Sequence, residues 1–384
     1  MSLDAFRTAV MADPDAQHAL AAIVDPASFV EQARLWATAN GIALSSAALE
    51  AATRPDPAGI DRFAPAPVQS HEWPGEGWLP VAVVQHGAPG VDWQHFAGEP
   101  LTQSFFEDSR RRIAARPFNR MFRYHTPWPD FLRGAPAAPP APDGLIFHMS
   151  RCGSTLVAQM LAAIPEHRVL SEAAPIDTIL QLPDIDSGTR IAALRAMVAA
   201  YSRGAPRCFI KLDSWHSRAL PLLRRAFPAT PWLFLYREPV EVMASQMRQR
   251  GMQTVPGMVP FPFLGLSPDD AALPAETFIA RVLERSCQAA IDHRHLGGGL
   301  LVNYSQLPDA LFADILPHFA MVPTAPERKA MQAASRRDAK AAHEAFSPDG
   351  ETKKREASPE VRDAAARYLA PVHDRLEALR TISG

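Results

Sequence analysis

A short apolar run ending in a small polar turn is the stretch of this sequence best suited to chemistry. Residues 144–157 read Gly-Leu-Ile-Phe-His-Met-Ser-Arg-Cys-Gly-Ser-Thr-Leu-Val, a pattern that predicts a strand, a loop and a helix. The first N–H groups of a helix have no partner within it, and with the helix dipole they form an anion site. Arg151 adds a permanent positive charge, and Ser154 and Thr155 add hydroxyl donors. The segment from Met149 to Thr155 is therefore predicted to seat a phosphate group.

This loop departs from the pattern of nucleoside triphosphatases, G-x-x-x-x-G-K-[ST], in which a lysine stands directly before the hydroxyl residue. Here Gly153 occupies that position, and the cation is Arg151, which precedes the glycine. Taken alone, so short a match favours an ordinary strand-to-helix turn. The prediction of an anion site therefore depends on residues elsewhere in the chain.

The cysteines and histidines give no independent sign of a metal or redox centre. Cys152 lies in the loop, where a helix N-terminus can lower a thiol pKa and produce a nucleophile. No pattern supplies a base for it, so a small residue that fits the loop is the preferred interpretation. Cys152, Cys208 and Cys287 are too far apart for metal-ligand or disulfide spacing. The scattered histidines His71, His86, His95 and His125 match no metal motif, and no metal is predicted.

An alternation of strands and helices from Gly144 onward would position the loop. The predicted strands are short, apolar and continuous, as strands buried on both faces should be: Leu145–His148, Arg168–Leu170, Cys208–Leu212, Trp232–Tyr236 and Leu300–Asn303. Predicted helices separate them: Thr155–Ile164, Asp177–Gln181 with Thr189–Tyr201, Ser217–Ala226, Pro239–Arg250 and Pro274–His295. The fold class is therefore α/β, a doubly wound parallel sheet whose ligands bind beyond the carboxyl ends of its strands.

Polar residues follow each of these strands at the end where a ligand would bind. They are Glu172 after the second strand, Lys211 and Asp213 after the third, Arg237 after the fourth with Ser245 on the next helix, and Tyr304 after the fifth. Two cations, carboxylates and an aromatic residue thus share one rim with the loop. A nucleotide with two separated phosphates needs such a set.

Bulk properties exclude some classes of protein. The 384 residues suffice for two domains, and the formal net charge of −2 gives no electrostatic case for binding nucleic acid. The N-terminus lacks a basic segment followed by an apolar one, and no run of about eighteen apolar residues occurs. We therefore predict a soluble, cytoplasmic protein with no membrane partner.

The first part of the chain is predicted to be organised differently. Residues 1–53 have apolar residues at helical spacing, and Asp13 and Asp25, each followed by proline, are helix start signals. Residues 54–143 are predicted to be a Pro-rich linker and accessory region, with a strand at Val81–Val84 and a helix at Thr102–Ala115. Residues 144–384 would form the nucleotide-binding catalytic domain.

The opening resembles the nif-eleven leader-like family. That family shares a start such as Met1-Ser2-Leu3 and an Asp-Pro-x-x-Phe step, here from Asp25 to Phe29. The resemblance covers about fifty residues and implies a module that an enzyme grips or that docks a peptide. A helical cap with no separate role is at least as strong an interpretation.

Two motifs in the second half together resemble the sulfotransferases that use 3′-phosphoadenylyl sulfate (PAPS). The first is [KR]-x-G-[ST]-[ST], here Arg151-Cys152-Gly153-Ser154-Thr155, which in that family holds the 5′-phosphosulfate. The second is Arg-x-Pro with a serine eight residues after the arginine, here Arg237-Glu238-Pro239 and Ser245, which holds the 3′-phosphate. The match covers most of 144–380 and implies PAPS as donor and adenosine 3′,5′-bisphosphate (PAP) as product.

Weaker matches extend the resemblance. Lys211-Leu212-Asp213 stands where many members have Lys-x-His, so the usual histidine base is absent. Tyr304 would lie near the adenine. The segment Phe346–Arg355 would be a basic loop closing on the 3′-phosphate through Lys353, Lys354 or Arg355, and Ser358-Pro359 would start the final helix.

The resemblance also implies catalytic roles. Arg151 would stabilise the leaving group, and Lys211 would reach the sulfuryl group. Glu172 is the preferred base, Asp213 is its rival, and either could instead be a structural partner of Arg151 or Lys211. The alternatives to a sulfotransferase are a non-catalytic binding protein with a vestigial site, and a kinase or nucleotidase, which the missing lysine disfavours.

The acceptor is predicted only as a hydroxyl compound, either a small molecule or a peptide. The candidate acceptor loops are Met252–Ala272 and parts of 81–130. Their apolar character suits a hydrophobic alcohol, a phenol or a peptide segment, and it equally suits a packed lid.

Overall fold

Two units make up the fold. The structure, a computed structural model, describes residues 2–55, 65–87, 89–336 and 350–382. The first unit comprises Met1–Pro100, Phe106–Pro139 and Ala196–Gly204, and the second comprises Leu101–Phe105, Pro140–Arg195 and Ala205–Gly384. The boundary at Pro139 lies within an Ala- and Pro-rich stretch of the sequence.

Four helices begin the first unit: α1 Ser2–Met11, α2 Pro14–Ala21, α3 Pro26–Ala39 and α4 Ser46–Thr53. Their start signals are those read from the sequence. The carboxylate of Asp13 accepts hydrogen bonds from the N–H groups of Asp15 and Ala16, and Asp25 accepts one from the N–H of Ser28. These side chains satisfy N–H groups that the helices themselves leave unpaired.

A four-stranded sheet completes the first unit. Its strands are β1 Val68–Gln69, β2 Trp78–Val84, β3 Gly90–His95 and β4 Tyr124–Pro127, in the order β1-β4-β3-β2. The accompanying helices are α5 Phe106–Ala114, α6 Pro117–Met121 and α7 Trp128–Arg133. The sequence predicts one of these strands, Val81–Val84, and a helix that begins at Thr102, four residues before α5. Strands β3 and β4 mix polar and aromatic residues over a few positions and leave no clear pattern.

Aromatic packing holds this unit together. Trp78 and Phe118 are fully buried, with ring centroids 6.0 Å apart, and the Trp78 indole N–H donates to the side-chain oxygen of Gln17 at 2.9 Å. In helix α1, the ring of Phe6 lies 5.8 Å from that of Phe122. The N-terminal helices therefore share one core with the sheet.

The second unit is built on a five-stranded parallel sheet, as the sequence predicts. The strands are β5 Gly144–His148, β6 His167–Ser171, β7 Arg207–Lys211, β8 Trp232–Tyr236 and β9 Gly299–Asn303. Their order is β6-β7-β5-β8-β9, and every neighbouring pair is parallel. Strand β5 is central, and all five of its residues are buried. Its carboxyl end is flanked by those of β7 and β8, where the predicted ligand side chains follow.

Helices connect and cover these strands. They are α8 Ser154–Ala162, α9 Ala174–Gln181, α10 Ser187–Ser202, α11 Leu220–Ala226, α12 Pro239–Arg248, α13 Phe261–Leu264, α14 Ala275–Asp292, α15 Leu316–His318, α16 Ala325–Ser335, α17 Gly350–Glu356, α18 Pro359–Ala364 and α19 Ala370–Ile382. A 3-10 helix, Ser214–Ala219, precedes α11. A π-helical turn, Ala365–Leu369, joins α18 to α19 just before Pro371, which has no N–H to donate to the preceding turn.

The last helix is fixed to the sheet by a partly exposed carboxylate. Glu377 accepts hydrogen bonds from the hydroxyl of Tyr236 at the end of β8 and from the amide of Asn303 at the end of β9, the latter at 2.8 Å. Arg380 pairs with the same carboxylate at 2.6 Å. Although burial acts to raise it, these donors lower the pKa of Glu377 to about 2. Helix α19 thus holds the carboxyl ends of two neighbouring strands.

The segment before the final helices differs from its prediction as a basic loop. Residues 346–349 lie outside the described residues, but Gly350–Glu356 is helical. Its Glu, Lys and Arg residues are good helix formers, and Glu356 pairs with Arg248 of α12. The predicted helix start at Ser358 is confirmed, for helix α18, since the Ser358 hydroxyl accepts from the N–H of Val361. Among the described residues, no helix combines the length and apolar character needed to span a membrane.

Candidate active site

The loop after β5 has an unusual backbone. Ser150 and Arg151 have φ values of 78° and 56°, and Gly153 has a φ of 86°. Left-handed conformations are costly for residues with a Cβ and concentrate at ligand sites. The Ser150 N–H donates to Nδ1 of His148 at 3.0 Å, and the Gln246 side chain donates to the Ser150 hydroxyl at 3.0 Å. These contacts hold a turn whose backbone suits an anion.

Gly153 is the residue before helix α8, and its neighbours leave no room for a side chain. A Cβ placed there would lie 2.8 Å from Cδ2 of Tyr304 and 2.8 Å from Cδ1 of Leu307. Ser154 and Thr155 follow as the first, buried residues of the helix. The loop is therefore closely covered by the segment after β9.

Replacing Gly153 with alanine is expected to destabilise the protein by ~2–4 kcal/mol, because backbone strain and overpacking add. Gly257 is a matched control, since its φ of 83° is nearly the same but a Cβ there would meet nothing within 4 Å. We expect Gly257→Ala to cost only ~1 kcal/mol, the backbone part. Urea unfolding of both variants measures the difference, and equal losses would show that the contact with Tyr304 has no energetic weight.

Cys152 is a buried structural residue in this loop. Its thiol donates to the carbonyl of Leu235 at 3.1 Å, and its side chain has no exposed surface. Burial raises the pKa of the Cys152 thiol to about 12. A thiol in this environment is not a nucleophile at neutral pH, which agrees with the preferred interpretation of the sequence.

The structure brings the two predicted phosphate motifs into direct contact. The guanidinium of Arg151 donates through Nε to the Ser245 hydroxyl at 2.9 Å, and its other nitrogens lie 3.3 Å from the side-chain oxygen of Gln249. Ser245 and Gln249 lie one turn apart at the end of helix α12. The side chain of Arg151 therefore extends from its own loop toward the residue assigned to the second phosphate.

The guanidinium of Arg237 contacts an aromatic ring on its face and a carboxylate at its edge. Its guanidinium carbon lies 4.1 Å from the centre of the Tyr304 ring, and Nε and Nη2 lie 2.8 and 2.6 Å from Oε2 of Glu241. This stacking follows from strand register, because Tyr236 of β8 pairs with Asn303 of β9 and each is followed by one of the two residues. Tyr304 is thus placed on the arginine and beside Gly153.

The C-terminal cations approach the same place from helix α17. Nζ of Lys354 lies 3.1 Å from the other oxygen of Glu241, so one carboxylate joins Lys354 and Arg237. Of the other two predicted candidates, Lys353 is buried and Arg355 is exposed on this helix. Lys354 therefore shares a carboxylate with Arg237.

A second cluster forms at the carboxyl ends of β5, β6 and β7. Lys211 is almost fully buried and forms an ion pair with Oε1 of Glu172, and Nε2 of His148 lies 3.4 Å from the same oxygen. Glu172 has a φ of 54°, and its N–H donates to the Lys211 carbonyl at 2.8 Å. Burial by itself would raise the pKa of Glu172, but the Lys211 ammonium and His148 reverse this effect and lower it. Glu172 is therefore an ionised carboxylate with limited exposure.

Asp213 has a different environment from Glu172. It is buried, and its N–H donates to Nδ1 of His216 at 3.2 Å. Nε2 of His216 lies 2.7 Å from Oδ1 of Asp177, an oxygen that also accepts from the Trp215 indole at 2.8 Å. Burial, followed by the charges of Glu172 and Asp177, raises the pKa of Asp213 well above its usual value. The surroundings therefore lower the pKa of Glu172 and raise that of Asp213.

Asp177, Asp213 and His216 also bring one potential metal-ligand atom each to within 4.8 Å of one another. The hydrogen bonds of His216, one from the Asp213 N–H and one to Asp177, account for this grouping without an ion. Both nitrogens of the imidazole are used, so the cluster reads as the support of the loop that carries Asp213.

The predicted acceptor loop is packed. Val259, Leu264 and Leu266 are buried in one cluster with Trp215, Phe278 and Val282, whereas Met252 and Met258 are exposed. Of the alternatives that the sequence left open, this favours a packed lid for most of Met252–Ala272. In the second unit, Phe105 lies beside Lys211, since Nζ of Lys211 is 5.2 Å from the centre of the Phe105 ring.

Sequence reasoning did not assign roles to four side chains that complete these clusters: His148, Asp177, His216 and Glu241. His148 is the last residue of a strand that was itself predicted, so its place beside Glu172 follows from the strand order. The four-residue spacing between Arg237, just after β8, and Glu241, in the first turn of α12, was likewise visible in the sequence.

The comparisons with known proteins were these. No protein-family model matches the chain. No curated protein matches it either. Sulfotransferase STF9 from Mycobacterium avium is 13% identical over 53% of this chain and 69% of its own, with a TM-score of 0.37. The sulfotransferase domain of the Synechococcus PCC 7002 olefin synthase is 17% identical over 60% and 96%, with a TM-score of 0.38. The sulfotransferase domain from the curacin biosynthetic pathway is 16% identical over 64% and 99%, with a TM-score of 0.38. With likeness this weak, a functional assignment must rest on the residues of the site.

Proposed function

We propose that this chain is a sulfotransferase that moves a sulfuryl group from PAPS to a hydroxyl acceptor. One observation carries the proposal: the strained loop after β5 meets the serine of helix α12 through Arg151, beside a second arginine at the end of β8. Two anion-binding elements at one edge of a parallel sheet suit a nucleotide with phosphates at both its 5′ and 3′ positions.

The residues present fit such a nucleotide. The side chains of Arg237, Ser245 and Lys354 would hold the 3′-phosphate, and the N–H groups from Cys152 to Thr155 would hold the 5′ end. The close approach of Tyr304 to Gly153 requires a residue without a Cβ. In this structure the carboxylate of Glu241 is paired with the cationic groups of Arg237 and Lys354. Its carboxylate has to share them when a phosphate binds.

The cluster at β7 would perform the acid–base chemistry. PAPS supplies the activated sulfuryl group, and the protein must stabilise charge on the leaving oxygens and take a proton from the acceptor hydroxyl. Arg151 and the loop N–H groups would balance the leaving-group charge. Lys211 would turn from Glu172 toward the sulfuryl oxygens, and this movement would free the Glu172 carboxylate to accept the proton.

Glu172 is the preferred base because of its charge state. Its low pKa keeps it ionised at neutral pH, whereas the raised pKa of Asp213 favours the protonated form, which cannot accept a proton. Asp213 is then a neighbour of the base whose burial favours the neutral form. The peptide-docking role that the leader-like resemblance implies for residues 1–53 stays a prediction.

Calorimetric titration of the full chain with PAP, and separately with ATP and Mg²⁺, tests the proposed ligand. We expect PAP to bind at least about tenfold more tightly, which corresponds to ~1.4 kcal/mol. A preference for ATP would reject the sulfotransferase assignment in favour of a kinase or nucleotidase. Tight PAP binding without label transfer from PAPS to any component of a cell extract would favour the vestigial binding protein, and a labelled product would identify the acceptor.

A further inference from the structure

His148 ends the central strand and lies directly between the phosphate-binding loop and Glu172. Its side chain is 5% exposed. Nδ1 is 3.0 Å from the N–H of Ser150, and Nε2 is 3.4 Å from Oε1 of Glu172. Strand order explains the position, because β5 is adjacent to β7 and residues of β6 and β7 pair in register up to Ser171 and Lys211.

The tautomer of His148 follows from these contacts. An N–H group donates to Nδ1, so Nδ1 carries a lone pair and the ring proton is on Nε2. Burial, followed by the charge of Lys211, lowers the pKa of His148 and keeps the ring neutral. The Nε2–H therefore points toward the Glu172 carboxylate as a neutral donor.

This donor has no satisfied hydrogen bond. Nε2 of His148 is buried and lacks a partner within hydrogen-bond geometry, since 3.4 Å exceeds the usual N–H···O range. A buried unsatisfied donor is costly, and such groups in native proteins usually have an explanation. Here Lys211 holds the oxygen that Nε2 faces. If Lys211 turned away, a small shift of the carboxylate would complete the bond.

We propose that His148 is a positioning residue that receives the Glu172 carboxylate when Lys211 leaves it, and that couples this carboxylate to the conformation of the phosphate-binding loop. The catalytic part of this proposal rests on the proposed function. The two contacts of His148, as a donor to Glu172 and an acceptor for Ser150, do not depend on that function. The charged or titratable groups that face Glu172 are Lys211, His148 and Asp213.

Two substitutions separate the two contacts. In His148→Asn, the side-chain oxygen can take the place of Nδ1 and accept from Ser150, but no group reaches Glu172. In His148→Gln, the side-chain amide can take the place of Nε2 and donate to Glu172, but nothing accepts from Ser150. Both substitutions introduce an amide of similar polarity into the same buried site, so each is the control for the other.

The pKa of Glu172 reports the contact between His148 and Glu172. It is measured by ¹³C NMR on protein labelled at glutamate carboxyl carbons, with the Glu172 signal identified by its loss in Glu172→Gln. Lys211→Met mimics the withdrawn lysine. In that background, adding His148→Asn should raise the pKa of Glu172 by about one unit, and adding His148→Gln should change it by less than about 0.3. With Lys211 present, His148→Asn should shift it by only a few tenths, in the same direction.

PAP affinity, measured by calorimetry on the single variants, reports the contact between His148 and the Ser150 N–H. We expect His148→Gln to weaken PAP binding about tenfold and His148→Asn to weaken it less than about threefold, because only the first substitution releases the Ser150 N–H.

Equal effects of Asn and Gln in both measurements would overturn the proposal and leave His148 a packing residue. Should the Lys211→Met protein fail to fold, the shift in the single His148→Asn variant decides the first contact. Absence of PAP binding in the unchanged protein would instead sink the proposed function, while the NMR titration would still test the link to Glu172.

Discussion

Replacing Glu172 with glutamine is expected to lower turnover by about 100- to 10,000-fold while PAP affinity stays within a few-fold of the original. This range is the usual contribution of a general base. Glutamine keeps the shape of glutamate and an oxygen for the Lys211 and His148 donors, so the loss would come from the missing proton acceptor. Turnover is measured with labelled PAPS and the acceptor from the extract experiment, and affinity by calorimetry.

Asp213→Asn is the matched control. It removes a carboxylate from the same cluster, but one whose raised pKa already favours the neutral form. We expect it to reduce turnover by less than about tenfold. Near-normal turnover in Glu172→Gln, with PAP binding retained and a large loss in Asp213→Asn, would transfer the role of base to Asp213.

The pH dependence of kcat/KM separates the same two residues without mutation, since this quantity reports the ionisation of the free enzyme. Lys211 holds the pKa of Glu172 below that of an ordinary carboxyl, so Glu172 stays ionised as the pH falls. A Glu172 base therefore predicts a constant kcat/KM from pH 7.5 down to about 5. A base whose pKa is raised, as at Asp213, becomes protonated at a higher pH than an ordinary carboxyl, so kcat/KM would fall as the pH is lowered.

Replacing Arg237 with alanine is expected to weaken PAP binding by at least about 100-fold. A guanidinium makes two charge-assisted hydrogen bonds to a phosphate, each contributing ~1.5–3 kcal/mol, and ~1.4 kcal/mol corresponds to a factor of ten. The stack on Tyr304 and the contact with Glu241 already fix the side chain, so little further entropy is lost when it binds. Arg237→Lys keeps the charge but loses the planar stack on Tyr304. Its PAP affinity should lie between those of the unchanged protein and Arg237→Ala.

Arg225 provides the control for this loss of charge. It is exposed on helix α11, and its replacement by alanine changes the net charge equally. We expect Arg225→Ala to change PAP affinity by less than about twofold, because an exposed charge outside the site is largely screened. Calorimetry at two salt concentrations should show a reduced salt dependence only for Arg237→Ala. Similar affinities for both variants would place the 3′-phosphate elsewhere.

The sheet of the second unit was predictable because each of its strands contains a short apolar run between segments with a helical pattern. Trp232–Tyr236 has the predicted bounds, and the other four strands differ by a residue or two. Buried parallel strands leave this signal since both of their faces need apolar side chains. The sheet of the first unit was largely missed, because short paired strands that mix polar and aromatic residues resemble the loops around them.

Side-chain partners were less predictable than strands. The sequence placed Arg151 and Ser245 at opposite ends of a ligand, whereas the folded chain joins them by a hydrogen bond. Similarly, the basic residues near 353 were read as a loop, but they form a helix whose Lys354 meets Glu241. Such contacts depend on how far a long side chain reaches across neighbouring elements, and no local pattern records that distance.

The carboxylate of Glu377 makes the site depend on a distant part of the chain. It bonds Tyr236 and Asn303, the residues just before Arg237 and Tyr304, and it is 141 residues from Tyr236 along the sequence. By thermodynamic linkage, whatever binds between Arg237 and Tyr304 also favours the docking of helix α19. Ligand protection of that helix from proteolysis or hydrogen exchange would therefore be a measure of occupancy that needs neither an acceptor nor turnover.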